Sequence, residues 1–218
     1  IVESVFAYEN SRVCQRYLLP RRGTEIGVEL IVYWNEKRKM LKLSVPVRMI
    51  DGEYIGEIVY GKETLRDDAT EVVAQRWTAV ANNEYMLTCI NDGTYGSDFR
   101  DGEFRLSLLR STGHSCLSIN VDTVMPQDRF SPRIDQGERR FAFRINGGTR
   151  NEREKSIFRE ATVFHQRPYV LPYYPSGDGE KLYPFLVLDG DGIEMSACKR
   201  SADSTGYIVR LFETTGKV

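Results

Sequence analysis

The sequence is short of several things, and each shortage excludes something. It holds two histidines, His114 and His165, and four cysteines, Cys14, Cys89, Cys116 and Cys198, with no C-x-x-C pair. Zinc held through Cys and His therefore lacks its usual ligand spacing, and the metal-ligand set read from this chain is none. No N-x-S/T acceptor occurs, and unpaired thiols inside apolar or alternating runs suit a reducing, cytoplasmic setting. No apolar run approaches the ~20 residues that span a bilayer, so no membrane partner is expected. An excess of one charge is missing too. Thirty Lys and Arg stand against 31 Asp and Glu, a net charge of -1, which gives no field to draw in nucleic acid or an anionic membrane surface. There is no initiator Met and no charged or apolar leader; the opening Ile1-Val2-Glu3-Ser4 reads as an excised piece of a longer protein. An Ile-Val start also suits a processed chymotrypsin-like protease, but no Gly-Asp-Ser-Gly loop follows it.

What remains is ample material for a core. At 218 residues, 41% hydrophobic and 11% aromatic, the chain is too rich in apolar side chains for disorder and long enough to fold without disulfides or metal. Its dominant period is two. Residues 25–34, 40–47 and 104–109 alternate apolar and polar, and further strands are predicted at 13–19, 57–60, 72–80, 85–90, 139–145, 185–188, 193–199 and 207–213. Asp51-Gly52, Asn91-Asp92-Gly93, Asp101-Gly102 and Asn146-Gly147-Gly148 mark turns between them. Many strands with such turns predict an all-β, antiparallel sandwich. One stretch differs: from Arg150 to His165, Ile157, Phe158, Ala161 and Phe164 fall at helical spacing above a charged face of Glu152, Arg153, Glu154 and Lys155. The chain thus divides into a sandwich over 1–150, a short helix and Pro-rich linker over 151–184, and a small terminal β unit of three strands over 185–218.

Candidate sites compete with plainer roles. Glu36, Glu57, Glu71, Asp92, Asp98 and Glu194 could serve glycoside chemistry if two faced each other, but no spacing selects a pair. Asp189-Gly-Asp-Gly192 lacks the later ligands of a calcium loop and reads as a turn. A His acid paired with a carboxylate would need His114 or His165 in a cleft, and neither context favours one. In Gln75-Arg76-Trp77, an exposed indole would stack on a sugar while the guanidinium held hydroxyls; the alternative is a core Trp under a snorkelling Arg. The loop Asn91-Asp92-Gly93-Thr94-Tyr95-Gly96 offers amide, carboxylate and phenol groups where functional residues collect. Arg76, Trp77, Asn91, Asp92 and Tyr95 are the substrate-binding candidates.

Several segments in order resemble a known family. Glu71 to Val80, Ile90 to Asp98 and Gly102 to Ser111 are similar to the "QRW…V", "NDxKYGxD" and "LRLSLLRSP" segments in the C-terminal β-region of glycoside hydrolase family 38 α-mannosidases. Tyr33 to Leu43 resembles its "WxExxKxLK", and Ile193 to Lys199 with Gly206 to Glu213 resemble its closing strands. Departures fall at Arg110-Ser-Thr-Gly-His114, where the family has "RSP", at 115–137, and at Arg139 to Arg144, where it has "HxFxYAL".

The resemblance implies a galactose-mutarotase-like supersandwich followed by a small β-domain. It implies a retaining exo-α-mannosidase in which zinc and an Asp nucleophile sit on an N-terminal α/β barrel that these residues do not include. No catalytic role transfers to this chain. The expected partners are that catalytic domain and an α-mannoside glycan, with a second copy of the chain as a further candidate. The rival expectations are an autonomous carbohydrate-binding module and a purely structural sandwich.

Overall fold

The alternating segments form strands, and their inward faces decide the layers. The computed structural model describes residues 1–113, 133–172, 174, 183–190 and 192–216; His114, Cys116, Pro175 and Asp191 lie outside them. Strands β1 (Val2–Tyr8), β2 (Ser11–Leu18), β3 (Ile26–Trp34), β5 (Glu53–Ile58), β6 (Gly61–Thr64), β8 (Trp77–Ala81), β9 (Tyr85–Asn91) and β12 (Gly137–Thr149) form one sheet in the order β1-β2-β3-β12-β9-β8-β5-β6. Strands β4 (Met40–Pro46), β7 (Val72–Val73), β10 (Gly96–Arg100) and β11 (Glu103–Arg110) form a second, in the order β4-β11-β10-β7. Every pairing is antiparallel. Period-two alternation turns Val28, Leu30, Val32 and Trp34 of β3, with Phe143 of β12, towards Phe99, Phe104 and Leu106 of the smaller sheet. That is the sandwich core.

The larger sheet is covered on its other face as well. Helix α1 (Arg150–His165) sets Ile157, Phe158 and Ala161 against Ile55, Trp77, Ala79, Ala81, Met86 and Ile90. All five residues of β8 are therefore buried, Val80 towards the smaller sheet and Trp77, Ala79 and Ala81 towards the helix. The helix starts where Thr149 and Glu152 exchange side-chain and backbone hydrogen bonds in a capping box. Its expected charged face needs one correction. Arg153 is only 5% exposed, because steps of four place it on the same stripe as Ile157 and Ala161. It is accommodated by Glu160 at 2.8 and 2.5 Å and Thr88 Oγ1 at 2.7 Å.

Among the described residues the terminal unit holds two strands, not three: β13 (Ile193–Arg200) pairs with β14 (Tyr207–Glu213). Residues 185–188 carry apolar side chains but join no ladder. Phe212 of β14 packs edge-on against Phe158, and Arg210 donates to the Tyr60 hydroxyl at 3.1 Å, which fixes the hairpin beside the helix. Cys89 is buried, and desolvation pushes its thiol up to about 12. Cys14 is half-buried and Cys198 exposed. Among the described residues, no helix is long and apolar enough to cross a membrane.

Candidate functional site

Where the hairpin meets α1 and the edge of the larger sheet, a cleft of about 300 Å³ opens, lined by Glu57, Tyr60, Gln75, Arg76, Gln166 and Glu194 among others. Its floor is an ion pair. The Glu57 side chain is 3% exposed and receives the Arg76 guanidinium: Nε donates at 2.9 and 3.0 Å, Nη2 adds a third contact, and the Arg76 backbone N–H donates at 2.9 Å. Arg76 Nη1 reaches Thr162 Oγ1 at 2.8 Å, tying the strand to the helix. Both Glu57 oxygens are thus occupied, leaving the residue unfit as a base or nucleophile in this geometry.

The Glu194 side chain, from β13, enters the same cleft and makes no hydrogen bond or ion pair among the described residues. Burial holds its carboxyl above the ordinary value and the nearby Glu57 carboxylate adds to this, while Arg159 and Arg76 pull the other way. Such a raised carboxyl stabilises the fold most when protonated, and that contribution fades as pH rises through its folded value. Glu194→Gln should therefore raise the melting temperature at pH 7 by roughly 1 °C, with the gain disappearing below the ordinary carboxylate range. The effect is small because water reaches the group. Paired thermal melts at the two pH values check it.

The substrate-binding candidates separate in space. Arg76 lies in the cleft. Trp77 does not: it is 0% exposed, its ring meeting Phe158 edge-on at 5.3 Å, so it cannot stack on a sugar. The indole belongs to the helix-facing row of β8, which α1 covers. Asn91 is also buried. Its Oδ1 accepts the Gly93 and Thr94 N–H groups at 3.0 Å each, and its Nδ2 donates to the Gln75 carbonyl at 2.8 Å. It shapes the loop, with Gly93 at φ +84° completing a turn that favours glycine. Its carbonyl lies 2.7 Å from His165 Nε2, which must carry the proton, since a carbonyl only accepts. Asp92 and Tyr95 are left pointing outward, Tyr95 being 52% exposed.

The other sequence carboxylates have structural partners. Glu36 accepts from Ser11 Oγ at 2.8 Å and the Asn10 N–H at 3.0 Å. On the outer face of the smaller sheet, Asp98 accepts from Arg105 Nε at 2.6 Å and pairs with Lys42, which also reaches Glu71 at 2.5 Å. Ser107 donates to Glu71. Only Asp98, Arg105 and Ser107 are near in sequence, on the two strands of one hairpin; Lys42 and Glu71 come from elsewhere in the chain, so spacing alone could not join the network. The pairing of Glu57 with Arg76, and the arrival of Glu194 beside them, were equally hidden. Among the described residues no three His, Cys, Asp or Glu side chains converge to hold a metal ion. The zinc that the resemblance implies therefore finds no fitting ligand set among them.

Comparison with known proteins agrees with these motifs. The model of the glycosyl hydrolases family 38 C-terminal domain matches residues 1–118. Alpha-mannosidase G of Dictyostelium discoideum is 24% identical over 219 residues, covering 95% of this chain and 19% of that protein. Human alpha-mannosidase 2C1 is 32% identical over 110 residues, 47% of this chain and 11% of that one. The crystal structure of an alpha-mannosidase from Enterococcus faecalis V583 superposes with a TM-score of 0.77 at 16% identity, over 94% of this chain and 23% of that one. This chain spans less than a quarter of the length of each. The match over more than half of its residues, with the interlocked motifs, places the chain in the family 38 glycosyl hydrolases as a C-terminal domain.

Proposed function

We infer that this chain is the non-catalytic C-terminal β-portion of a retaining, zinc-dependent exo-α-mannosidase, bracing an N-terminal catalytic barrel of the same polypeptide. The observation that carries this reading is how the motif residues are used. Lys42, Asp98 and Arg105 are consumed in one ion network, Arg76 and Glu57 in another, and Trp77 in the core. These are scaffold roles, in a segment that relatives named alpha-mannosidases carry as a small part of their length. The zinc and the reactive carboxylates belong to the barrel, and this chain contributes outward groups. The loop bearing Asp92 and Tyr95 lines the rim of the sugar cleft. The scattered free thiols support a cytoplasmic setting for the protein.

The test is hydrolysis of a chromogenic α-mannoside. The full-length protein should release the chromophore and lose that activity to a chelator, while the 218-residue chain alone should release none. Turnover by the isolated chain, with contamination excluded, would end this reading. Within the full-length protein, Asp92→Ala or Tyr95→Ala should lower kcat/KM by about tenfold while leaving the fold intact, because both side chains face solvent. Unchanged kinetics in both would remove the rim role. Calorimetry with mannose oligosaccharides tests the rival binding module: micromolar affinity in the isolated chain would favour it.

A further inference from the structure

The two sheets of the sandwich do not match in width. Among the described residues the larger has eight strands and the smaller four, and β4 is an edge of the smaller one with no further strand beside it. Beyond that edge, β1 and β2 overhang with no cover among the described residues. The result is a groove of about 410 Å³ lined by Phe6, Tyr8, Val13, Trp34, Leu41 and Leu43 among others. Phe6 and Tyr8 are half exposed, an unusual outcome for aromatics on an inward-facing row.

The backbone of β4 is open on the same side. Val47 N–H donates to the Gly102 carbonyl at 2.7 Å, and Val45 and Leu43 stand opposite Phe104 and Leu106 in the ladder. By the alternation of an antiparallel pair, the N–H groups of Lys42 and Ser44 are directed away from β11. An edge strand with half-buried leucines and free donors is a template for another strand. Its charges are already used. Lys39 Nζ lies 2.9 Å from Glu9 and 2.7 Å from the Tyr8 hydroxyl, and Lys42 is held by Glu71 and Asp98. The groove asks for an uncharged, apolar occupant.

We propose that an extended apolar segment of the same longer polypeptide, outside these 218 residues, pairs with β4 as a fifth strand and buries its alternate side chains under the β1–β2 overhang. This rests on the reading of the chain as part of a larger protein. The relatives carry more than three quarters of their length outside the matched region, so chain to supply a strand is abundant. A second copy fits poorly. Joined edge to edge with inner faces on one side, two copies would drive both overhangs into the same space. Joined the other way, each overhang would meet the partner's charged face of Lys42, Asp98 and Arg105. This strand addition is a main-chain recognition mode with side-chain pockets for specificity.

Amide hydrogen exchange and one substitution test it. In the full-length protein, the N–H groups of Lys42 and Ser44 should exchange at least about tenfold more slowly than in the 218-residue chain. Ser44→Pro removes only an outward donor and leaves the ladder to β11 intact. Ser44→Ala controls for the lost hydroxyl contact to Glu103. In the full-length protein, Ser44→Pro should melt roughly 3–5 °C below Ser44→Ala, and in the 218-residue chain the two should melt together. Equal exchange in the two lengths overturns the proposal. So does protection that appears only as sizing shows dimers, which would assign the edge to a second copy. None of these readouts uses mannosidase activity, so failure here is distinct from failure of the functional reading.

Discussion

Trp77→Ala is expected to lower the unfolding free energy by about 3–5 kcal/mol, the largest single effect in this fold. The indole has no exposed surface and sits where three elements meet: β8 supplies it, Phe158 of α1 meets its ring at 5.3 Å, and Phe212 of β14 continues the stack at 5.9 Å from Phe158. Truncation leaves a void that a helix, a sheet and a hairpin would all have to move to fill, and packed interiors relax only in part. Trp77→Phe separates the packing from the polar end. The indole N–H finds no hydrogen-bond acceptor among the described residues, so Phe keeps a ring against Phe158 while removing an unsatisfied buried donor. Its cost should be less than half that of the alanine variant in urea unfolding at equal m-value. If the two cost the same, the ring is not what holds the helix down.

That buried Trp shows where the sequence could be read and where it could not. The helix was legible, because Ile157, Phe158, Ala161 and Phe164 mark one stripe and Pro168 stands just beyond its end. Strands beyond the helix's cover were legible too, since β3 has one face to the core and alternates. β8 was harder. Both of its faces are covered, so Trp-Thr-Ala-Val-Ala carries no alternation to say which side Trp77 takes. Covering the second face depends on α1, which lies far along the chain. The apolar run 185–188 has strand composition but found no partner edge, and composition cannot report pairing. Arg153 was placed with its charged neighbours, although its offset of four from Ile157 was there to be counted. The cleft was the least legible feature. Glu57 and Glu194 come from opposite ends of the sequence, and only the docking of β14 through Phe212 brings β13 within reach of Arg76.

The ion pair in that cleft should be strongly asymmetric when broken. Arg76→Ala is expected to cost about 3 kcal/mol, because the Glu57 carboxylate stays 3% exposed with its counter-charge gone. The loss includes every guanidinium contact to Glu57 and the link to Thr162 at 2.8 Å. Adding Glu57→Gln to Arg76→Ala should then recover at least about 1 kcal/mol, since a neutral amide is easier to leave buried and can still accept the backbone N–H of residue 76. Two destabilising changes partly cancelling is the signature of a desolvated charge, and a surface pair would not produce it. Urea midpoints for the two single variants and the double variant complete the cycle. Should the double variant be less stable than Arg76→Ala alone, Glu57 would be held by contacts other than the guanidinium, and the cleft floor would need a different description. A recovered double variant also serves the functional question. It carries a neutral floor beneath Glu194 in a stable fold, so, under the proposed mannosidase reading, any change in turnover by the full-length protein would then report on the cleft itself, free of the unfolding that accompanies Arg76→Ala.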